Sequence, residues 1–364
     1  MSFESGSVTC RMFYVAGDMP DDAVERFAAA SAPPVHSLGR DSIEGWVTSR
    51  HLMDTNITAD NATMAGYLYL YLMQAERKIP PALLRAELRM EELAEMQARG
   101  LAYLRRSERS EIKKALVERL QPDMPPTLKG IALVYDPTDK IAYATATSDK
   151  QLDALVLSFR STTGANLVPI EPDSAALQRA GLHLSELTPT CFVPDFEYAG
   201  APDTVGQDFL TWLWYASEAG ALTALVPAES GFIIEGPLTF EFEGAGAHET
   251  TLRKGSPMVA TEAKAALMAG KKLRRAVLTM AQGETMWTAT VDADSFIFRG
   301  LKLPKGDATD PIGRFEERML ALRQLREAYL ELFDHFLSLR THPEQWEKTL
   351  TEVYQWVEKR AARP

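Results

Sequence analysis

The sequence predicts an α+β fold with a helical projection, and three observations carry that prediction. Several short stretches alternate side chains between two faces, most clearly Tyr67, Tyr69 and Tyr71 against Leu68, Leu70 and Leu72, which is the period of a strand. Across residues 79–122 the period changes to that of helices, with strand-like sequence on either side. In the last third, three strand-like stretches in series are followed by two long amphipathic helices.

Residues 8–15 place Val8, Cys10, Met12 and Tyr14 on one side, which predicts the first strand. Asp21 and Asp22 open a short helix through Phe27, which Pro33 and Pro34 end. Gly45, Trp46 and Val47 follow, and then the Tyr/Leu strand. Pro80 and Pro81 open the first helix of the projection, where a missing N–H costs nothing. Leu83, Ala86, Met90 and Leu93 recur at steps of three and four, and Gly100 interrupts the run. Ser107 caps a second helix, with Glu108 and Glu111 in the first turn where the helix dipole favours acids. Ile112, Leu116 and Leu120 give this helix its apolar stripe, and Pro122 stops it. Apolar stretches at 130–135 and 141–147 flank Asp136, Pro137, Thr138 and Asp139, turn residues that predict a hairpin. A helix over 149–158 and a strand over 165–170 complete this half.

The next segment begins with a loop rich in Pro, Gly and Asp, and then concentrates aromatic residues between Gln207 and Tyr215, a cluster read as core. Residues 232–243 predict two short strands with Pro237 at the break. An Ala-rich helix over 259–268 closes at Gly270, and strands are expected over 275–280, 286–291 and 296–301. A long helix over 310–340 carries Leu322, Leu325, Tyr329, Phe333 and Phe336 on its apolar side. The last helix carries Trp346, Leu350, Val353 and Trp356. Helices of this kind either cover the sheet or pair with another subunit.

At 364 residues the chain has room for one large domain or two or three modest ones. No run of about 18 apolar residues predicts a membrane span. The first residues lack the basic-then-apolar order of a secretion signal, and Cys10 and Cys191 are too few for a disulfide framework, so a cytoplasmic protein is expected. The net charge of −11 is unevenly spread. Residues 188–250 contain ten acids and neither Lys nor Arg, so the rest of the chain is close to neutral. Between residues 99 and 120 there are seven bases (Arg99, Arg105, Arg106, Arg109, Lys113, Lys114 and Arg119) against three acids. A second group of seven (Arg253, Lys254, Lys264, Lys271, Lys272, Arg274 and Arg275) follows the acidic segment, against Glu262 alone. A run of bases is as a rule a solvated face, but two such patches on a nearly neutral background can also bind phosphates locally.

The residues offer little catalytic chemistry. The six histidines have no metal-ligand spacing, and there is no HExxH, P-loop or GxSxG. Gly244, Ala245 and Gly246 lack the third glycine of a dinucleotide loop. Asp195 with Glu262, Ala263 and Lys264 superficially suits a metal-dependent nuclease, but that chemistry needs E-x-K on a strand, and here it falls in helical sequence. The expectation is a protein without a catalytic centre, cofactor or metal.

The ordered series of these features resembles the RdgC family of recombination-associated proteins. The resemblance is carried by Gly45-Trp46-Val47 through Arg77-Lys78-Ile79-Pro80, by the helical pair to Pro122, and by the hairpin and helix up to Val168-Pro169-Ile170. It resumes at Arg253-Lys254 and runs through Glu262 and Ala269-Gly270-Lys271 to Leu303, about two thirds of the chain in all. It implies a central α+β domain (1–78 and 131–187), a helical tip (79–130) and a larger α+β base (188–364) that includes the acidic insertion. It further implies a ring-like homodimer, closed by tip–tip and base–base contacts, through which duplex DNA passes. It also implies DNA binding without sequence preference, functional competition with the recombinase RecA, and association with the nucleoid. Single-stranded DNA is a further possible ligand.

On that resemblance the DNA-facing residues are Arg105, Arg106, Arg109, Lys113 and Lys114 in the tip and Arg253, Lys254, Lys271 and Lys272 in the base. If Arg274 and Arg275 enter a strand, only one of them can face the hole. Where the family has an aromatic and basic tip turn, this chain has Asp123-Met124-Pro125-Pro126-Thr127, which places a tip contact at Met124 and Pro125. The base contact falls at Gly255 and Ser256. A metal-dependent DNA nuclease and a protein-binding adaptor without DNA affinity remain as alternatives.

Overall fold

The computed structural model describes residues 3–39, 42–188, 190–193, 204–220, 222, 230–242, 249–253 and 261–361. The first half runs β1 (Val8–Ala16), α1 (Ala23–Ala29), β2 (Ile43–Thr48), α2 (Ala59–Ala62), β3 (Thr63–Met64) and β4 (Tyr67–Arg77). It continues with α3 (Pro81–Arg99), α4 (Arg106–Leu120), β5 (Pro126–Asp136), β6 (Ile141–Ala144), α5 (Asp149–Thr163), β7 (Asn166–Pro169) and α6 (Pro172–Ala180). The second half runs α7 (Val205–Ala219), β8 (Ser230–Glu241), β9 (Thr250–Leu252), α8 (Thr261–Met268), β10 (Lys272–Gln282), β11 (Thr285–Asp292), β12 (Ile297–Lys302), α9 (Pro311–Thr341) and α10 (Pro343–Ala361). No helix among the described residues is long and apolar enough to cross a membrane.

All twelve strands among the described residues form one sheet, in the order β2-β4-β5-β6-β1-β12-β11-β10-β8-β9, with β3 on β4 and β7 on β1. β1 joins its halves. One of its sides pairs with β6 (Arg11 opposite Ala144), and the other pairs with β7 (Phe13 opposite Pro169) and β12 (Cys10 opposite Phe298). Sheet hydrogen bonding therefore crosses the boundary expected near residue 188. Helix α9 crosses it too. Arg323 reaches Asp136 (2.6 Å) and Asp139 (3.0 Å) in the β5–β6 turn, and Arg326 reaches Asp139 (2.7 Å) and the Tyr143 hydroxyl (3.0 Å). The same Asp136 shapes the predicted hairpin by accepting the Thr138 N–H (2.9 Å).

The main core lies between the sheet and α6, α7, α9 and α10. The aromatic segment is its centre, as the composition suggested: α7 is buried from Val205 to Ala216, and Phe209 meets Phe296, Tyr329, Phe333 and Phe336 at centroid distances of 5.1–6.2 Å. Gly206 makes this possible, because a Cβ there would lie 2.1 Å from the Ala293 carbonyl oxygen. A second core fills the other face of the first half, where α1 and α5 bring Phe27, Leu155 and Phe159 onto Phe13, Trp46, Leu70 and Leu133.

One sequence expectation is corrected here. Residues 230–241 form a single strand, not two. Between the pairs Arg275–Thr239 and Val277–Glu235, three residues of β8 including Pro237 face Ala276 alone. Such a bulge absorbs the proline's missing donor without ending the strand.

Cys10 lies wholly inside the main core, and burial pushes its thiol up to about 12. At pH 8 a thiol reagent is expected to leave Cys10 unmodified in the folded protein and to label it only after unfolding. Peptide mapping of the labelled chain tests this; rapid labelling of native Cys10 would mean that β1 opens easily.

Candidate nucleic-acid interface

Helices α3 and α4 form a two-helix arm inserted between β4 and β5. Pro81 stands in the first turn of α3, and Gly100 ends the helix at φ +65°, a backbone conformation suited to glycine. α4 begins at Arg106, one residue before the expected cap at Ser107. The Glu108 carboxylate folds back to accept the Arg105 N–H (2.8 Å) and so satisfies a donor of the first turn.

The stripe predicted on α4 packs inward, with Leu116 buried and Ile112 and Leu120 half-buried. The repeat on α3 behaves differently. Leu83, Met90 and Leu93 are exposed, while the side turned to α4 carries glutamates.

These glutamates sort the arm's bases. Glu92 is 8% exposed and lies 3.5 Å from Arg109 and 3.4 Å from Arg89. Arg119 pairs with Glu91 (2.8 Å), and Arg99 with Glu95 and with Glu108 (3.1 Å). Arg99, Arg109 and Arg119 thus tie the two helices together. Arg105, Arg106, Lys113 and Lys114 are exposed and hold no ion pair among the described residues. Arg106, Arg109 and Lys113 stand on successive turns of one face, so the unpaired charges and the half-neutralised Arg109 are neighbours.

The second basic group divides more sharply. Arg253 is exposed; Lys254, Gly255 and Ser256 lie outside the described residues, as do Asp195, the Gly244–Gly246 stretch and the side chain of Lys264. Lys271 is half-buried and donates to the Thr250 hydroxyl (2.5 Å).

Lys272 is a correction. It is 3% exposed, with Nζ 2.5 Å from Asp208 and 3.1 Å from the Thr204 hydroxyl, so it is part of the core and cannot meet a phosphate. The reason is position. Lys272 opens β10, where the Asp208 carboxylate reaches it from α7.

Arg274 pairs with Glu241 (2.5 Å) and Asp294 (3.0 Å), and Arg275 with Asp292 (2.7 Å). Asp294 has its carboxyl raised above the usual range, first by burial, although Gln207 and Arg274 oppose the shift. In the arm's exit, Met124 is half-buried with its carbonyl held by Arg77, and Pro125 is exposed. Glu262 is exposed on α8.

One surface was not anticipated. The second face of β8–β12 belongs to neither core. It carries Thr279 across from Thr288 (hydroxyls 3.4 Å apart), Thr290 across from Arg299, and Thr288 across from Lys302. Alternation in the Phe296–Leu301 stretch already set Arg299 opposite Phe298 and would have revealed it.

Residues 12–180 match the family model described as "Putative exonuclease, RdgC". No curated protein matches the chain. The matched segment runs from β1 to α6 and contains the whole arm, whereas the resemblance read from residue 253 onward lies outside it. That segment, which spans the arm and the strands that carry it, is similar to the RdgC family.

Proposed function

We propose that this protein binds duplex DNA through its phosphates, without reading sequence and without cutting it. The observation that carries this reading is the sorting of charge on the arm: four exposed bases are left unpaired among the described residues, beside three that the glutamates of α3 engage. In a chain of net charge −11, such a surface attracts a polyanion locally while the rest repels it. Side chains of this kind contact phosphates and carry no base preference. The family resemblance extends the reading: two copies meet at tip and base, enclose the duplex as a ring, and limit access of the recombinase RecA at the nucleoid.

Retention of unrelated duplexes on immobilised protein tests the first step. Expected are similar affinities for all sequences and a steep loss between 50 and 200 mM salt, as for other phosphate-dominated complexes at about these concentrations. No retention at low salt would leave the adaptor reading. Enclosure predicts that closed DNA circles stay bound through a high-salt wash while the same circles, once cut, slide off.

The description of the matched family names an exonuclease. Incubation of end-labelled duplex with the protein and magnesium is expected to give no shortened products; progressive shortening would replace the binding reading by the nuclease one.

A further inference from the structure

The sheet has a slot. β6 pairs with β5 only from Leu133 onward, whereas β5 begins at Pro126. Past the end of β6, the Thr145 N–H donates to the Ala132 carbonyl (3.0 Å), and the Thr145 hydroxyl oxygen accepts the Ala132 N–H (2.9 Å). The first part of β5 therefore looks across a gap toward the start of β1 and the middle of β12. The gap is a depression of ≈ 360 Å³ lined by Thr9, Gly130, Thr145, Thr147 and Arg299.

Among the described residues its lining is rich in donors and free of carboxylates. Backbone groups in an antiparallel strand point to alternate sides, so Gly130 turns its N–H the same way as Ala132, where no strand among the described residues lies to take it. Arg299 is half-buried and holds no ion pair among the described residues. The Thr145 hydroxyl accepts from Ala132 and keeps its proton to give; Thr147 donates its N–H to the Gln151 side-chain oxygen (3.1 Å), and its hydroxyl makes a long contact of 3.4 Å to the same oxygen. Thr9 accepts from the Gly300 N–H (3.0 Å). On β4, Glu76 is shared by Lys78 (2.7 Å) and Lys129 (3.6 Å).

A guanidinium, hydroxyls and a backbone N–H converging on one space form the donor set that a tetrahedral oxyanion requires. We infer that this slot is a phosphate site that takes one backbone phosphate of bound nucleic acid. The inference rests on the DNA-binding reading and adds a contact on the sheet to those on the arm. Arg299 of the slot stands across from Thr290, and Lys302 across from Thr288, so hydroxyls and cations continue from the slot along β11 and β12, groups of the kind that contact phosphates.

Fluorescence anisotropy of a labelled duplex, followed over a salt series, separates the outcomes. Arg299→Gln should lower the slope of log affinity against log salt by about 0.9 per subunit, and Arg299→Lys should restore most of it. Lys348→Gln, an exposed lysine on α10, should leave the slope unchanged. Thermal melting of each variant shows that the fold is intact. Should Arg299→Gln fail to fold, Thr147→Val is the second variant and should weaken binding at fixed salt.

An unchanged slope for folded Arg299→Gln, with wild type still bound, overturns the slot and leaves the arm's role standing. Failure of the wild type to bind overturns both. Calorimetric titration with inorganic phosphate is the remaining arm. Binding that needs Arg299, together with an unaltered DNA slope, would make this a free-phosphate site and overturn its assignment to nucleic acid.

Discussion

Asp208→Ala is expected to destabilise the protein by about 3–5 kcal/mol, the cost typical of removing one partner from a buried charge cluster. Asp208 is 1% exposed on α7, and its two oxygens serve different elements: Lys272 of β10 at 2.5 Å and Arg340 of α9 at 2.9 Å. Arg340 is further held by the Thr188 carbonyl (2.6 Å) and lies over the Trp346 ring (4.8 Å). Losing the carboxylate leaves two cations in the core facing the space where it stood, and neither can reach bulk water without moving a helix or a strand. Lys272→Met should be milder, because Arg340 then keeps the whole carboxylate and a chain of similar length still fills the site. Urea unfolding followed by tryptophan fluorescence reads both variants, since Trp212, Trp214 and Trp346 are all in this core. An Asp208→Ala midpoint equal to wild type would mean that water already reaches the cluster.

Lys113→Gln with Lys114→Gln carries the second large effect. Both side chains are exposed and unpaired on α4, so the pair should lower the salt slope of DNA binding by about 1.8 per subunit, the release of two phosphate counterions. Stability should change by less than about 0.5 kcal/mol, as for surface substitutions with no partner to lose. Arg109→Gln is expected to do the reverse. It lies 3.5 Å from the buried Glu92, so its loss weakens the joint between α3 and α4 more than it weakens DNA binding. A slope unmoved by the lysine pair would remove α4 from the interface.

The contrast between these lysines and Lys272 shows what a sequence reading can reach. Counting bases found both patches, and helical period placed the arm. Nothing in the count distinguishes Lys271, half-buried against Thr250, from Lys272, enclosed by Asp208 and Thr204. The partner of Lys272 lies 64 positions earlier on another element, and only packing brings the two together. In the arm, likewise, the sequence offers seven bases, and it is the approach of α3 to α4 that engages Arg99, Arg109 and Arg119 and leaves four free. The stripe of Leu83, Met90 and Leu93 has helical period and yet faces outward, because period reveals a face but not what covers it. Pro237 misled for a local reason: a bulge can carry a proline through a strand that propensity alone would break.

What the sequence determined by itself is most of the elements: strands from alternation, the arm from its period and its proline and glycine ends, the core from aromatic density at Gln207–Tyr215. These are local properties, written in neighbours along the chain. The tertiary structure alone decided that β1 stitches both halves into one sheet, which cations are spent on carboxylates, and that β6 stops short to leave a donor-lined slot. Such features depend on pairings between residues far apart in sequence, and their energies arise only when those residues are desolvated together.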